Sequence, residues 1–349
     1  MRKNGFSVLG LLFLASLVVS CAGIAFPPKF EGGDLKSLFR VEEQRAIFGA
    51  KIENFSCPAP PDPVRDLQIA DFYGNPGKYG MDTQQLRFYQ AKTTSMSDEF
   101  VRSRPANPEI ADCVLEWLDS WAKTGALLGS RTQQGRYEQQ WALVSIAAAY
   151  LKVRDSQGLD VSKKARVEAW IVKLVEAMLT HYSMNPQRED SSNNHRYWAG
   201  LGTVLAGIAS NNKKMFNWGL DAFATGVNQI WGDGILPLED RRGNKALHYH
   251  NFALEPLILI AEAAAANGMD LYSFREGAIH KLVKRVLDGL DGNGDLGRGQ
   301  DAVSKRDFIW MEPYYKRFKD PRLVPYLERY RPLSNIRFAD TTLLFGARN

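Results

Sequence analysis

From Pro108 onward, apolar side chains recur every three to four residues, the spacing of one face of an α-helix. The first such segment, "PEIADCVLEWLDSWAKTGALL" (108–128), sets Ile110, Val114, Leu118 and Trp121 on one face. Pro108 takes an N1-like place there, where its missing N–H costs nothing. The same periodicity predicts helices over 137–153, 165–182, 196–210, 214–230, 250–268, 274–290, 308–318 and 321–330, joined mostly by short links. Long alternating β-branched runs are missing, so the predicted fold class is all-α, built of antiparallel helical hairpins. "LVSIAAAYL" and "LEPLILIAEAAAA" are apolar nearly all round, which implies burial on both sides. Hairpins layered as an inner and an outer ring, an α/α toroid, supply that burial; a plain bundle gives the same local pattern. Residues 26–107, rich in Pro, Gly and Asp, read as irregular, and no clean internal repeat is visible.

The first residues change the picture of where the chain works. Arg2 and Lys3 precede "FSVLGLLFLASLVV" (6–19), an apolar run too short to span a bilayer, and "SCAGIA" then supplies small residues. Residues 1–25 therefore read as a signal peptide, and 26–349 as a single exported domain without a transmembrane segment. Two processing routes fit. Cleavage after Ala22 or Ala25 releases a soluble periplasmic protein, whereas cleavage before Cys21, in the lipobox-like "VVSC", gives an outer-membrane lipoprotein. Export also sets the redox environment. Cys57 and Cys113 are expected to form a disulfide that ties "CPAPPDPV" (57–64) to the helix starting at Pro108. The net charge of +5 suits an anionic partner, but the Lys and Arg residues are scattered and no nucleic-acid fingerprint accompanies them.

Two stretches put hydrogen-bonding groups where buried helices begin. In "SSNNHRYWAG" (191–200), Asn193 and Asn194 suit the turn before a helix, and either can cap it. His195 then falls in the first turn, where the helix dipole favours a neutral imidazole. An ordinary cap followed by a Tyr197–Trp198 core pair accounts for the same residues. The second stretch, "EDRRGNKALHYHNFAL" (239–254), follows the turn-rich "WGDGILP" and holds Arg241, Arg242, His248, Tyr249, His250 and Asn251. Solvated arginines and a capped helix are its plain reading. If both helices open at the same end of a ring, these groups converge on one cavity.

Other chemistry finds less support. "DGNGDLG" (291–297) has Asp291, Asn293 and Asp295 at positions 1, 3 and 5 of a calcium loop. Leu296 stands where Gly is required and Ala302 where a Glu ligand belongs, so it reads as a turn. Neither a zinc-spaced Cys/His set nor a nucleophile elbow occurs, so no metal site is expected. The paired carboxylates of a glycoside hydrolase, drawn from Asp233, Glu239, Asp240 and Glu255, stay open on spacing alone.

With both clusters in view, the chain resembles the alginate lyases of polysaccharide lyase family 5, the poly-mannuronate lyases. "NNHRYWAG", "RRGNKALHYHNFALEPLILIAEAAAANG" and "CVLEWLDSWAKTGALL" carry the resemblance, with weaker support from "FIWMEPYYKRF" and "TTLLF". It implies an incomplete α/α toroid around a deep cleft, and β-elimination at O4 of an anionic uronic acid polymer with no metal and no cofactor. The family's catalytic Asn and His match Asn194 and His195; its catalytic Arg and Tyr, seven residues apart, match Arg242 and Tyr249. Substrate-binding positions are implied at Lys78 and Tyr79, on a lid in the irregular region around 65–107. They are implied also at Tyr137, Trp141, Tyr197, Trp198, Arg241, His248 and His250. The chain departs from the family pattern at Arg196, where Ser is common, and at Gly243, which interrupts a more basic run. The implied partner is an anionic polysaccharide, mannuronate-rich alginate first, with glucuronan or hyaluronan as alternatives. A monomeric periplasmic protein is expected, either degrading polymer or working beside an alginate export machinery. A uronan-binding protein without catalysis needs the same groove but not the four matched residues.

Elimination explains the residue types. The C5 proton is too weakly acidic while the adjacent carboxylate keeps its charge. An amide donor such as Asn194 and the fork of Arg242 can neutralise that charge. A base must then take the proton and an acid must protonate O4. Between His195 and Tyr249 the assignment of the base stays open.

Overall fold

The computed structural model describes residues 25–69 and 80–347. Among them the regular structure is helical, with no β-structure beyond isolated bridges. A short helix, α1 (Val41–Phe48), precedes three helical hairpins: α2 (Met81–Arg102) with α3 (Pro108–Thr124), α4 (Gln133–Val153) with α5 (Val161–Met184), and α6 (Asn194–Ala209) with α7 (Lys213–Asn228). The one-turn α8 (Pro237–Asp240) then leads to a fourth hairpin, α9 (Ala246–Ala266) with α10 (Phe274–Leu290). The first helix of each hairpin packs beside the first helix of the next, so α2, α4, α6 and α9 form an inner layer backed by α3, α5, α7 and α10. The short helices α11 (Met311–Phe318), α12 (Val324–Tyr330) and α13 (Thr341–Phe345) complete the chain. Of these, α11 packs on α9 and α13, while α1 bridges α13 to α2. This is an incomplete α/α toroid.

Local chemistry explains the frame. Asn107, Thr132, Asp160, Asn193 and Asn212 each cap a helix by accepting from a backbone N–H one turn in. Each such cap is worth about 1 kcal/mol. The inner helices α4 and α9 are buried on nearly every face, as their uninterrupted apolar runs predict. α6 and α7 approach closely because Gly200 and Gly219 face each other. A Cβ on Gly219 would come within 2.3 Å of Val204 Cγ2 and 2.7 Å of the Gly200 carbonyl oxygen.

One expectation is overturned. Far from being irregular throughout, 26–107 contains α2, a helix of 22 residues. Its apolar period is weak because much of its buried face is polar: Gln90, Thr93, Thr94, Ser97 and Asp98 are all buried. Asp98 meets Lys152 at 2.6 Å, with both side chains buried, and Gln90 reaches Ser145 at 3.2 Å. A helix that buries hydrogen-bonded groups gives no apolar stripe to find. The expected lid residues Lys78 and Tyr79 lie outside the described residues, as do Cys21 and nearly all of the leader-like segment.

The Cys57–Cys113 disulfide is present. Beside it, Trp117 Nε1 donates to the Pro58 carbonyl at 2.8 Å and Trp121 Nε1 to that of Pro61 at 3.1 Å, so the proline-rich stretch is held along α3. For a sequence separation of 56, the chain-entropy account gives the bridge about 4 kcal/mol. Replacing both cysteines with serine is expected to lower the unfolding free energy by about that amount in urea denaturation. The helical circular dichroism of the native state should be unchanged.

Candidate active site

The polar ends of α6 and α9 open on one cleft of about 1280 Å³. α2 forms one wall from Arg87 to Arg102, roughly 22 Å of helix at 1.5 Å per residue. Tyr137 and Trp141 of α4, the turn at Arg188–Asp190, and the C-terminal stretch Ser334–Arg337 complete the lining.

Of the paired asparagines, Asn193 is the cap: its Oδ1 accepts from His195 N at 3.0 Å. Asn194 is thereby the first helical residue, and its backbone N and Nδ2 both donate to Glu239 Oε1, at 2.8 and 3.0 Å. Glu239 stands in α8, three residues before Arg242, so one buried carboxylate joins the two polar clusters. Arg242 reaches Glu189 Oε1 at 3.3 Å, and its guanidinium lies 4.9 Å over the Tyr249 ring. The His195 ring stacks on Tyr137, with centroids 3.6 Å apart. Its Nδ1 is 3.4 Å from Gln140 Nε2, while Gln140 Oε1 accepts from the Tyr182 hydroxyl at 2.8 Å. Asn194, His195, Arg242 and Tyr249 thus line the same cavity.

The charges are tuned by burial. It pulls the His195 imidazole down to about 3; Asp190 opposes this and Arg242 adds to it, so the ring is neutral at ordinary pH. Burial pushes the Glu239 carboxyl up, against the hydrogen bonds from Asn194 and the charge of Arg242. Burial also raises Asp307 and lowers His248, which face each other at 3.6 Å. For Asp190, burial raises the carboxyl, but hydrogen bonds from Tyr137, His181 and Arg188 bring it below the ordinary range.

A family model described as alginate lyase matches residues 72–296. The chain belongs to the alginate lyase family. A polysaccharide lyase of Stenotrophomonas maltophilia is 38% identical over 248 residues, 67% of this chain and 73% of that protein. An alginate lyase of Azotobacter vinelandii is 33% identical over 250 residues, 67% of this chain and 66% of that protein. Among solved structures, alginate lyase A1-III from a Sphingomonas species superposes with a TM-score of 0.78 at 25% identity, covering 90% of this chain and 97% of that one. A tyrosine-to-phenylalanine variant of A1-III, solved with a tetrasaccharide, matches equally well at 26% identity.

Tyr137, Trp141 and His248 line the cleft. Tyr197, Trp198, Arg241 and His250, expected to bind substrate, do not. Tyr197 is buried with its hydroxyl on the Ser192 carbonyl at 3.0 Å, and Trp198 is buried against Phe252. Arg241 is exposed outside the cavity. His250 is wholly buried, its Nδ1 donating to Ala246 O at 2.8 Å and its Nε2 accepting from Leu236 N at 3.1 Å. Neighbouring helical residues point about 100° apart, so only part of each polar cluster can face one cleft. None of the four carboxylates open to a hydrolase lines the cleft. Asp233 and Asp240 are exposed beside Arg285, while Glu239 and Glu255 are buried against Asn194 and Asn335. Asp291 bonds Arg322 and Tyr326, as a turn residue does.

Both departures from the family pattern lie outside the lining of the cleft. Arg196 lies 3.9 Å over the Trp218 ring in the outer layer, away from the cleft. Gly243 adopts φ 60°, a left-handed turn that favours glycine over a bulkier basic residue. Sequence reading missed Arg337, whose guanidinium lies 5.0 Å over Trp141 and 5.1 Å over Phe252 while facing the cleft. A lone basic residue in the tail carries no spacing that could mark it.

His250 gives a stability prediction. Burial lowers its imidazole to about 4 in the folded protein, against about 6.5 when unfolded. Between those values the unfolded chain binds more protons, so stability rises with pH there and is lost as pH falls from 6.5 toward 4. Thermal unfolding followed across that window should show Tm falling with pH, and His250→Asn should flatten the slope.

Proposed function

We propose that this protein cleaves mannuronate-rich alginate by β-elimination at the 4-O-glycosidic bond, leaving an unsaturated uronate on the new non-reducing end. The observation that carries this reading is the meeting of Asn194, His195, Arg242 and Tyr249 in one cleft, from segments far apart in sequence. Arg242 and Asn194 are assigned to the uronate carboxylate, whose charge must be quenched before C5 gives up its proton. Gln140 Oε1 is committed to Tyr182, so its N–H end faces His195 Nδ1 and the ring carries its proton on Nε2. That tautomer makes His195 a donor to the same carboxylate. Tyr249 is left to work on the proton.

In mannuronate, H5 and O4 share a face of the ring. The Tyr249 phenolate takes H5, the C5–H electron pair forms the C4–C5 double bond, and the C4–O4 bond breaks. The phenol so formed returns the proton to O4. The Arg242 guanidinium lies 4.9 Å over the Tyr249 ring, so a cation stands beside the group assigned to the proton.

Incubation with poly-mannuronate should raise the ultraviolet absorbance of unsaturated uronates, with chelator present or absent. Poly-guluronate, with H5 on the opposite face, should be cleaved at least about tenfold more slowly, since one group on one face can no longer serve both ends. Saturated product ends would remove the elimination reading; equal rates on both polymers would remove the mannuronate preference. The leader-like residues 1–25 and the basic charge support a periplasmic setting with a polyanionic substrate. Fractionation of cells expressing the full chain tests it: recovery in the cytoplasm with an intact N-terminus would contradict export.

A further inference from the structure

Glu239 is wholly buried, and its carboxylate takes Asn194 N at 2.8 Å and Asn194 Nδ2 at 3.0 Å from each of its oxygens. Arg242 Nε stands 3.8 Å from Glu239 Oε2. The arrangement has a consequence at the other end of the amide. Asn194 Oδ1 is buried with no hydrogen-bond partner among the described residues, and Arg242 Nε, 3.8 Å from Glu239 Oε2, makes an ion pair but no hydrogen bond. A buried polar atom left unpaired is costly and calls for a cause. As it stands, one Nδ2 N–H is shared between the two oxygens of Glu239, the amide is turned toward that carboxylate, and the guanidinium is partly neutralised before any substrate arrives.

A uronate carboxylate entering this site would meet a second carboxylate across one amide and one guanidinium. Like charges held that close in a buried setting do not both stay ionised. We infer that Glu239 is a positioning residue that takes a proton from solvent as the substrate carboxylate binds, turning the Asn194 amide over so that Nδ2 faces the substrate. The Glu239 O–H then donates to Asn194 Oδ1, and the other oxygen still accepts from Asn194 N. Nδ2 is freed to donate to the uronate, and Arg242 recovers its full charge toward it. Only hydrogen bonds and one solvent proton move; no covalent bond to carbon changes in this step. The groups that face Glu239 are consistent with it. Burial and Glu189 push its carboxyl up, while Asn194 and Arg242 oppose them. Tyr197 on α6 is itself held neutral by burial. This inference rests on the elimination reading, because it needs a uronate in the cleft.

The test is proton-linked binding. The full-length Tyr249→Phe protein, unable to turn over, is titrated with tetramannuronate by calorimetry in buffers of different ionisation enthalpy. About one proton should be taken up per ligand, because in the free site both Glu239 oxygens accept from Asn194 and face Arg242, as a carboxylate does. The uptake should fade at acid pH, where Glu239 is already protonated, and vanish in the Tyr249→Phe/Glu239→Gln double variant. Uptake that survives Glu239→Gln belongs to another group, such as His195, and overturns the assignment; so does binding with no uptake. In the otherwise native enzyme, Glu239→Gln can donate to Oδ1 and accept from Asn194 N, so kcat should fall less than about tenfold. Glu239→Ala should cost about a hundredfold, roughly the loss of one oriented donor. Equal losses in the two variants overturn the inference. Failure of the wild type to cleave any polyuronate overturns the elimination reading instead, and this inference with it.

Discussion

Tyr249→Phe should lower kcat on poly-mannuronate by about 10⁴-fold, the upper range for a positioned acid–base group, because one hydroxyl serves both ends of the reaction. The ring is nearly buried, so removing its oxygen leaves the packing against His248 and the guanidinium of Arg242 in place. Affinity for a mannuronate oligosaccharide should therefore change little, and the loss should sit in kcat, as expected when an interaction made only in the transition state is removed. The measurement is steady-state formation of unsaturated ends beside calorimetric binding of the same oligosaccharide. Undiminished turnover would transfer the proton chemistry to His195 and remove the mechanism proposed above.

Arg242→Ala should lower kcat/KM by about 10³-fold, in the range found when a preorganised donor to a developing negative charge is removed. Two effects combine. The uronate carboxylate loses its cation, and Glu239 keeps its buried charge without the guanidinium 3.8 Å away. Arg242→Lys should recover only part of the loss, because an ammonium cannot present the planar fork that spans Glu189, Glu239 and a bound carboxylate. Steady-state rates on poly-mannuronate at low and high salt check it. Equal rates for the arginine and lysine enzymes would show that charge alone suffices and that the fork geometry has no part.

Much of this protein was legible before any coordinates. Apolar spacing located the helices from Pro108 onward, and all-round apolar runs marked α4 and α9 as two-sided inner helices. The export expected from the first residues led to the Cys57–Cys113 pairing that the structure contains. α2 escaped because its buried side is hydrogen-bonded, with Asp98 on Lys152 and Gln90 on Ser145. Periodicity reports greasy faces only. The candidate site was half legible in the same way: two polar clusters at helix starts were visible, but not which of their members share a surface. His250 and Tyr249 are adjacent in sequence, yet one is sealed by Ala246 and Leu236 while the other lines the cleft.

The sequence by itself determined the helical periods from Pro108 onward and the chemical types gathered at the two helix starts, because each depends on neighbours within a few positions. Only the tertiary structure decided that Asn194 and Arg242 meet through Glu239, that Arg337 joins the cleft from the tail, and that His250 is sealed while Tyr249 is not. Those outcomes depend on burial and on the distances between remote segments, and both quantities exist only once the ring of helices has closed around the cleft.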